Sequence, residues 1–309
     1  MVSPTSALPL YRQLYAPLDV RPLDRFALDD AEFAAVFFTT PDDRYVGDWR
    51  LLGASRFVYC VHLTVPGFVR RWQLLRLYMT PLAGVPYTLP VFSAVAPLPV
   101  SARKRTVVMV GAMFQGENVV MGEVAEVASS LDKHGYTLSI FTTNGEESGP
   151  EMDAFRKAGS AKVEFRLSRP TDELHAAVAS ASFVLILPSD NSWYMADRMT
   201  GALPLAISYG TPILTKETFA RIYGLSAGAS GTIVGDGAAG VATSVGKISA
   251  SVYADLVSAA LEYRARLARH NQFTIESVLQ YVPGLGGGGA VIPLSEDFRE
   301  RVVPRLGDP

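Results

Sequence analysis

Polar and aromatic residues crowd one stretch of the chain, Pro188-Ser189-Asp190-Asn191-Ser192-Trp193-Tyr194-Met195-Ala196-Asp197-Arg198-Met199-Thr200-Gly201-Ala202. Thr200 and the backbone donors beside it can hold an anion, with Arg198 as countercharge. Pro204 follows closely, and proline suits the first turn of a helix, where its missing N–H is not needed. Ser189 and Asp190 add polar groups at the start of the stretch, and Trp193 and Tyr194 can stack on a base or sugar ring or pack against the loop. The plainer alternative is that Asp197 or Thr200 caps the following helix. A cap needs one polar residue, and this stretch supplies many. A second stretch, Gly111-Ala112-Met113-Phe114-Gln115-Gly116-Glu117-Asn118, has glycines that let a phosphate approach free backbone N–H groups at a helix start. It serves equally as a plain turn.

These stretches follow strands. Thr106 to Val110 is a fully apolar run ending at Gly111, as expected of a buried parallel strand. Val119 to Lys133 then has apolar residues at helical spacing. Thr137 to Phe141, a short helix from Glu151 to Ala158, and Lys162 to Phe165 come next. Thr171-Asp172-Glu173 opens another helix with acidic first-turn residues, Thr171 being read as its cap. Phe183 to Leu187 is the most hydrophobic strand. A helical segment, Thr211 to Thr215, a helix from Lys216 to Tyr223, Gly231 to Val234 and a long helix from Ser249 to about His270 complete the region. Strands alternating with helices predict a doubly wound Rossmann-like parallel sheet. In such a sheet ligands sit at the carboxyl ends of the strands where the order reverses, which makes the loop after Val110 the natural site, and the stretch after Leu187 lies at the carboxyl end of a central strand. Residues 1–100 are less regular. Ala34 to Phe38 and Phe57 to Val61 read as strands. Val69 to Met79 reads as a helix bearing Arg70, Arg71 and Arg76, a solvated face or a contact for a membrane or acidic acceptor. Proline-punctuated Tyr87 to Phe92 reads as a linker, and Gly286 to Gly289 as a flexible loop.

Composition excludes several classes. The 309 residues carry 28 Lys and Arg against 30 Asp and Glu, a net charge of −2, so no global attraction to nucleic acid is on offer. One cysteine, Cys60, rules out an intrachain disulfide or a Cys-rich zinc site, and four histidines without HxxxH spacing argue against a dedicated metal site. Leu51 to Val69, the longest apolar stretch, is broken by Arg56 and His62, so no span of about 20 apolar residues is expected. The chain reads as a soluble cytoplasmic protein. The glycine loop matches neither GxGxxG nor GxxxxGK[ST], and no acidic residue ends the second strand, where Phe141-Thr142-Thr143-Asn144 stands. Dinucleotide oxidoreductases and ATP-binding phosphate loops lose support accordingly.

The segments VVMVGAMFQGEN, TLSIF, KVEFR, SFVLILPSD and AISYGTPILT run in the order found in the nucleotide-sugar-binding domain of GT-B-fold glycosyltransferases, and residues 105 to about 282 resemble that domain. FVYCVHLT is similar to the family's strand ending in a histidine that faces the donor sugar, and YTLPVFSAV stands where its interdomain linker lies. The resemblance implies an abbreviated N-terminal acceptor-side α/β domain over 1–100, a Rossmann-like donor domain over 101–282 and a tail over 283–309. It implies transfer of a sugar from a nucleotide-diphosphate sugar to a glycan, lipid or protein hydroxyl, with no tightly bound cofactor and no obligatory metal, and the charge balance adds the expectation of no nucleic acid partner. By this resemblance Gly111 and Ala112 allow close backbone approach. Ser189, Asp190, Arg198, Thr200, Gly201 and Lys216 hold the donor, and Asp197 and His62 meet the sugar as the catalytic candidates, His62 serving equally as a half-buried histidine at a strand end.

The chain also departs from the family. Many retaining members carry E-x7-E, whose second Glu binds the donor ribose; here the positions are Asp197 and Leu205. The Arg and Lys that those members place after the first donor-domain strand are absent as well, leaving Arg198, Lys216 or Arg166 to supply charge from other loops. Retention and inversion therefore both stay open. So does a catalytically silent scaffold on the same fold, or another Rossmann-type nucleotide-binding enzyme. At 309 residues the chain is short for two full Rossmann domains, which implies either an acceptor gripped by few contacts or a partner domain or second copy that completes the acceptor side.

Overall fold

The computed structural model describes residues 36–38, 57–61, 75–78, 89, 91, 96–111, 119–142, 162–195 and 199–281. Of the residues singled out above, His62, Arg70, Arg71, Ala112, Asp197, Arg198, the 151–158 helix and the 286–289 glycines lie outside them. The chain divides into two compact units, one of residues 1–22, 91–195 and 200–266, the other of 23–90, 196–199 and 267–309.

The smaller unit contains a parallel sheet in the order β1 (Val36–Phe38), β2 (Phe57–Val61), β3 (Leu75–Tyr78). The pairing sets Val36 opposite Phe57 and Val58 opposite Leu75. The expected helix over Val69 to Met79 is thus corrected: Leu75-Arg76-Leu77-Tyr78 is a strand. Its leucines recur with period two, and β2 supplies the backbone partners that a helix would have found within itself.

The larger unit is built on β4 (Lys104–Val110), β5 (Thr137–Thr142), β6 (Val163–Leu167), β7 (Ala181–Ile186), β8 (Ile213–Lys216) and β9 (Thr232–Gly235). Their spatial order is β6-β5-β4-β7-β8-β9, every pair parallel. The helices are α1 (Met121–Lys133), α2 (Thr171–Ser180), α3 (Ala202–Ser208), α4 (Glu217–Ile222), α5 (Gly237–Val245) and α6 (Ala250–Tyr281). β7 is buried at all six positions, as a central strand covered on both faces must be. α1 turns Val124, Ala125, Val127, Ala128 and Leu131 inward, the spacing of a single apolar stripe. Tyr136, Phe183 and Tyr253 stack edge to face, with centroids 6.0 and 5.3 Å apart.

Two details depart from the sequence reading. α2 begins after Pro170, with Thr171 inside the helix and no side-chain cap, while Asp172 and Glu173 do occupy its first turn. α5 lies in a stretch that carried no expected helix. Its glycines and β-branched residues are weak helix formers. Burial of Ala238, Val241, Ala242 and Val245 holds it, and Ser130 of α1 donates to the Ala242 carbonyl at 2.7 Å.

Arg103, immediately before β4, stitches the amino-terminal edge of the sheet. Its guanidinium donates to the carbonyls of Ala181 (3.2 Å), Tyr209 (3.1 Å) and Gly210 (3.0 Å), and to Thr211 Oγ1 (3.0 Å). A cation at the end of α3 meets the helix's unpaired carbonyls, where the backbone dipole favours it. Gly231, at φ +67°, lets α6 close on the sheet: a Cβ there would sit 2.5 Å from Ala260 Cβ and 2.6 Å from the Leu256 carbonyl oxygen.

Candidate active site

The connections running from β4 toward β6 and from β7 toward β9 leave β4 in opposite directions, so a crevice opens at the carboxyl ends of β4 and β7. Among the described residues it is a shallow space of about 20 Å³, floored by the apolar ends of β4 and β7 and rimmed by Gly111, Val119, Pro188, Tyr194 and Thr200. The two stretches singled out in the sequence, after β4 and after β7, both begin at this crevice. Gly111 ends β4 at φ +150°, a conformation that favours glycine, and its N–H donates to the Phe141 carbonyl at 3.1 Å. Among the described residues, its chain neighbours aside, no atom comes within 4 Å of where its Cβ would stand.

Across the crevice the chain leaves β7 through Pro188 and folds into a turn. Ser189 is buried and its carbonyl accepts the Ser192 N–H at 3.0 Å, while Ser192 Oγ accepts the Tyr194 N–H at 3.2 Å. Thr200 is 5% exposed, and its Oγ1 accepts the Ala202 N–H at 3.3 Å from one residue outside the N-cap position, so it is not itself the cap. Gly201 is the N-cap residue of α3, and Pro204 falls in the helix's first turn.

Tyr223, fully buried at the end of α4, binds both sides of this loop. Its hydroxyl donates to the Tyr194 carbonyl at 3.0 Å and meets the Thr200 backbone as well. Burial pushes its phenol far above the ordinary value. No signal in the sequence singled it out.

Lys216 ends β8 and is 4% exposed. Its Nζ lies 2.9 Å from Glu123 Oε2 in the first turn of α1 and 3.8 Å from Asp190 Oδ1, whose side chain is 75% exposed. The first turn of α1, the loop after β7 and the end of β8 thus meet at one ammonium group. Glu123 was missed by the sequence reading, and the available signal was an acidic residue in the first turn of the helix after the glycine loop. Glu123 Oε2 is buried and has no aligned hydrogen bond among the described residues, so charge holds the pair. Arg166 is not brought to the crevice. It sits on edge strand β6 and pairs with Glu164 at 2.8 Å.

A larger groove of about 630 Å³ lies elsewhere, over α1 and α5, lined by small residues with Glu126, Lys133 and His134 at its edge. It has none of the strand-end geometry that binds ligands in this architecture. Among the described residues no cluster of three or more His, Cys, Asp or Glu is placed to hold a metal ion. No helix among them is long and apolar enough to cross a membrane.

No protein-family model and no curated protein sequence matches the chain. Solved structures do. An alpha-glucosyltransferase in complex with UDP-glucose and DNA containing an abasic site superposes with a TM-score of 0.55 at 13% identity, covering 78% of this chain and 75% of that one. Anabaena HepE in complex with UDP and glucose gives 0.53 at 13% identity, over 72% and 71% of the two chains. AviGT4, a glycosyltransferase involved in avilamycin A biosynthesis, gives 0.52 at 16% identity, over 74% and 70%. The doubly wound six-stranded unit, the smaller parallel unit and these likenesses together show that the chain has the GT-B glycosyltransferase fold.

Proposed function

We propose that the protein is a glycosyltransferase that moves a sugar from a nucleotide-diphosphate sugar to a hydroxyl acceptor. The observation that carries this reading is the crevice at the β4/β7 switch, glycine-backed on one side and flanked by Thr200, with Lys216 and Asp190 at the neighbouring strand ends. Its support from outside the chain is that similarly folded proteins were solved with UDP or UDP-glucose.

In this reading the bond between the anomeric carbon and the diphosphate oxygen breaks, and a bond from that carbon to the acceptor oxygen forms. The acceptor's proton passes to a base or to the departing diphosphate. Catalysis then consists of positioning the two substrates and stabilising charge on the leaving group. Gly111 and Ala112 let the diphosphate approach the backbone. Thr200, Gly201, Arg198 and Lys216 supply donors and positive charge, Ser189 and Asp190 border the donor, and Asp197 and His62 orient the sugar. The 1–100 region serves as the acceptor side. The acceptor class extends to glycans, lipids, proteins and nucleic acid, since one similarly folded enzyme was solved with DNA despite the near-neutral charge balance here.

The test is release of free nucleotide from a panel of UDP- and GDP-sugars, alongside thermal unfolding with each nucleotide. A ligand at 100 times its Kd stabilises by about 2.7 kcal/mol. Lys216→Met is expected to lower turnover by about tenfold or more through lost leaving-group stabilisation. Stabilisation by nucleotides without nucleotide release across acceptors indicates a binding protein, and preference for NAD(P) contradicts the donor reading.

A further inference from the structure

We propose that Glu123 is a positioning residue that holds Lys216 ready for the donor diphosphate and yields it when the diphosphate arrives. The inference rests on the donor reading above and adds a residue and an order of events to it.

A lysine that is 4% exposed requires a counter-anion, because an uncompensated ammonium in such surroundings is strongly destabilising. Glu123 provides it at 2.9 Å, and Asp190 stands at 3.8 Å. Two carboxylates around one ammonium leave the cluster with a charge of about −1, counted from these three ionised groups. An incoming diphosphate meets repulsion there unless one carboxylate withdraws.

Glu123 is built to withdraw. Its side chain is 33% exposed, so a rotation carries the carboxylate toward water. Its buried Oε2 has no aligned hydrogen bond among the described residues, so leaving breaks the ion pair and no further bond to that atom. Asp190, already 75% exposed, is hydrated without moving. The diphosphate then takes the place of the chain's own anion, and Lys216 remains neutralised throughout the exchange.

A purely structural brace between α1 and β8 makes a different prediction. Removing the charge of Glu123 would then lower stability and leave nucleotide affinity unchanged or reduced. Exchange predicts tighter binding. Calorimetric titration of UDP, UMP and inorganic pyrophosphate into the full chain, Glu123→Gln, Lys216→Met and the double variant separates the two. Glu123→Gln is expected to lower the Kd of UDP and pyrophosphate about three- to tenfold, with a smaller effect for UMP and none in the Lys216→Met background. A folded Glu123→Gln protein with unchanged or weaker affinity overturns the proposal.

Carbodiimide labelling of the unmodified protein gives a second readout that does not depend on a variant folding. Pyrophosphate or UDP is expected to raise labelling of Glu123, and unchanged or lower labelling overturns the exchange. UDP bound by the unmodified protein without either effect rejects the exchange and keeps the donor site. Pyrophosphate bound more tightly by Glu123→Gln, with no preference for any nucleotide, keeps the exchange and rejects the donor reading. Failure of every variant to bind any of the three ligands rejects both.

Discussion

His175 of α2 is buried, and its Nδ1 lies 2.8 Å from the Tyr209 hydroxyl, with the two rings edge to face at 5.7 Å. Burial lowers its pKa below the ordinary value, opposed in part by Asp172. Because the folded form resists protonation, the unfolded chain binds more protons as pH drops below about 6.5. The stability contributed by neutral His175 is therefore complete above that pH and is lost as pH falls toward the folded-state value. Melting temperature is expected to fall between pH 7 and 5 less steeply in His175→Gln than in the unmodified protein. Equal slopes in a pH series of thermal melts contradict this. At the same scale, Thr200 and Lys216 show what residue type alone leaves open. The chain order placed both near the crevice, but Thr200's bond to the Ala202 N–H and Lys216's partner Glu123 are set by backbone conformation and by packing between distant segments.

The elements were legible in proportion to their burial. β7 and the second half of β4, Val107–Val110, announce themselves as continuous apolar runs because central parallel strands are covered on both faces. α5 did not, since its small and β-branched residues form a helix through tertiary packing on α1 rather than through intrinsic preference. β3 was misread because four residues of period-two pattern lay inside a longer stretch that also fitted a helix. Arg103 was not distinguished by any motif, although it joins the start of β7 to the end of α3 through three carbonyls and a hydroxyl. Arg103→Met keeps much of the apolar stem and orphans these acceptors. It is expected to cost about 2–3 kcal/mol in denaturant-induced unfolding, with little effect on nucleotide affinity, since the opposite edge of the sheet carries the crevice.

At the scale of the molecule, the alternation of strands and helices predicted a doubly wound sheet, and the strand order places its switch point between β4 and β7. The order itself was not readable from local pattern; what the sequence carried beyond that pattern was a likeness in the succession of its segments. The same likeness carried the expectation of a nucleotide-sugar donor, and one measurement tests that expectation most directly. Amide hydrogen exchange of the full chain, with and without UDP-glucose, reports where the donor binds. Slower exchange is expected at Gly111, at Ser189–Asp190 and across Thr200–Gly201 and Thr215–Lys216, with the α1–α5 groove unchanged. Protection confined to that groove, or no protection with any nucleotide sugar at saturating concentration, contradicts it.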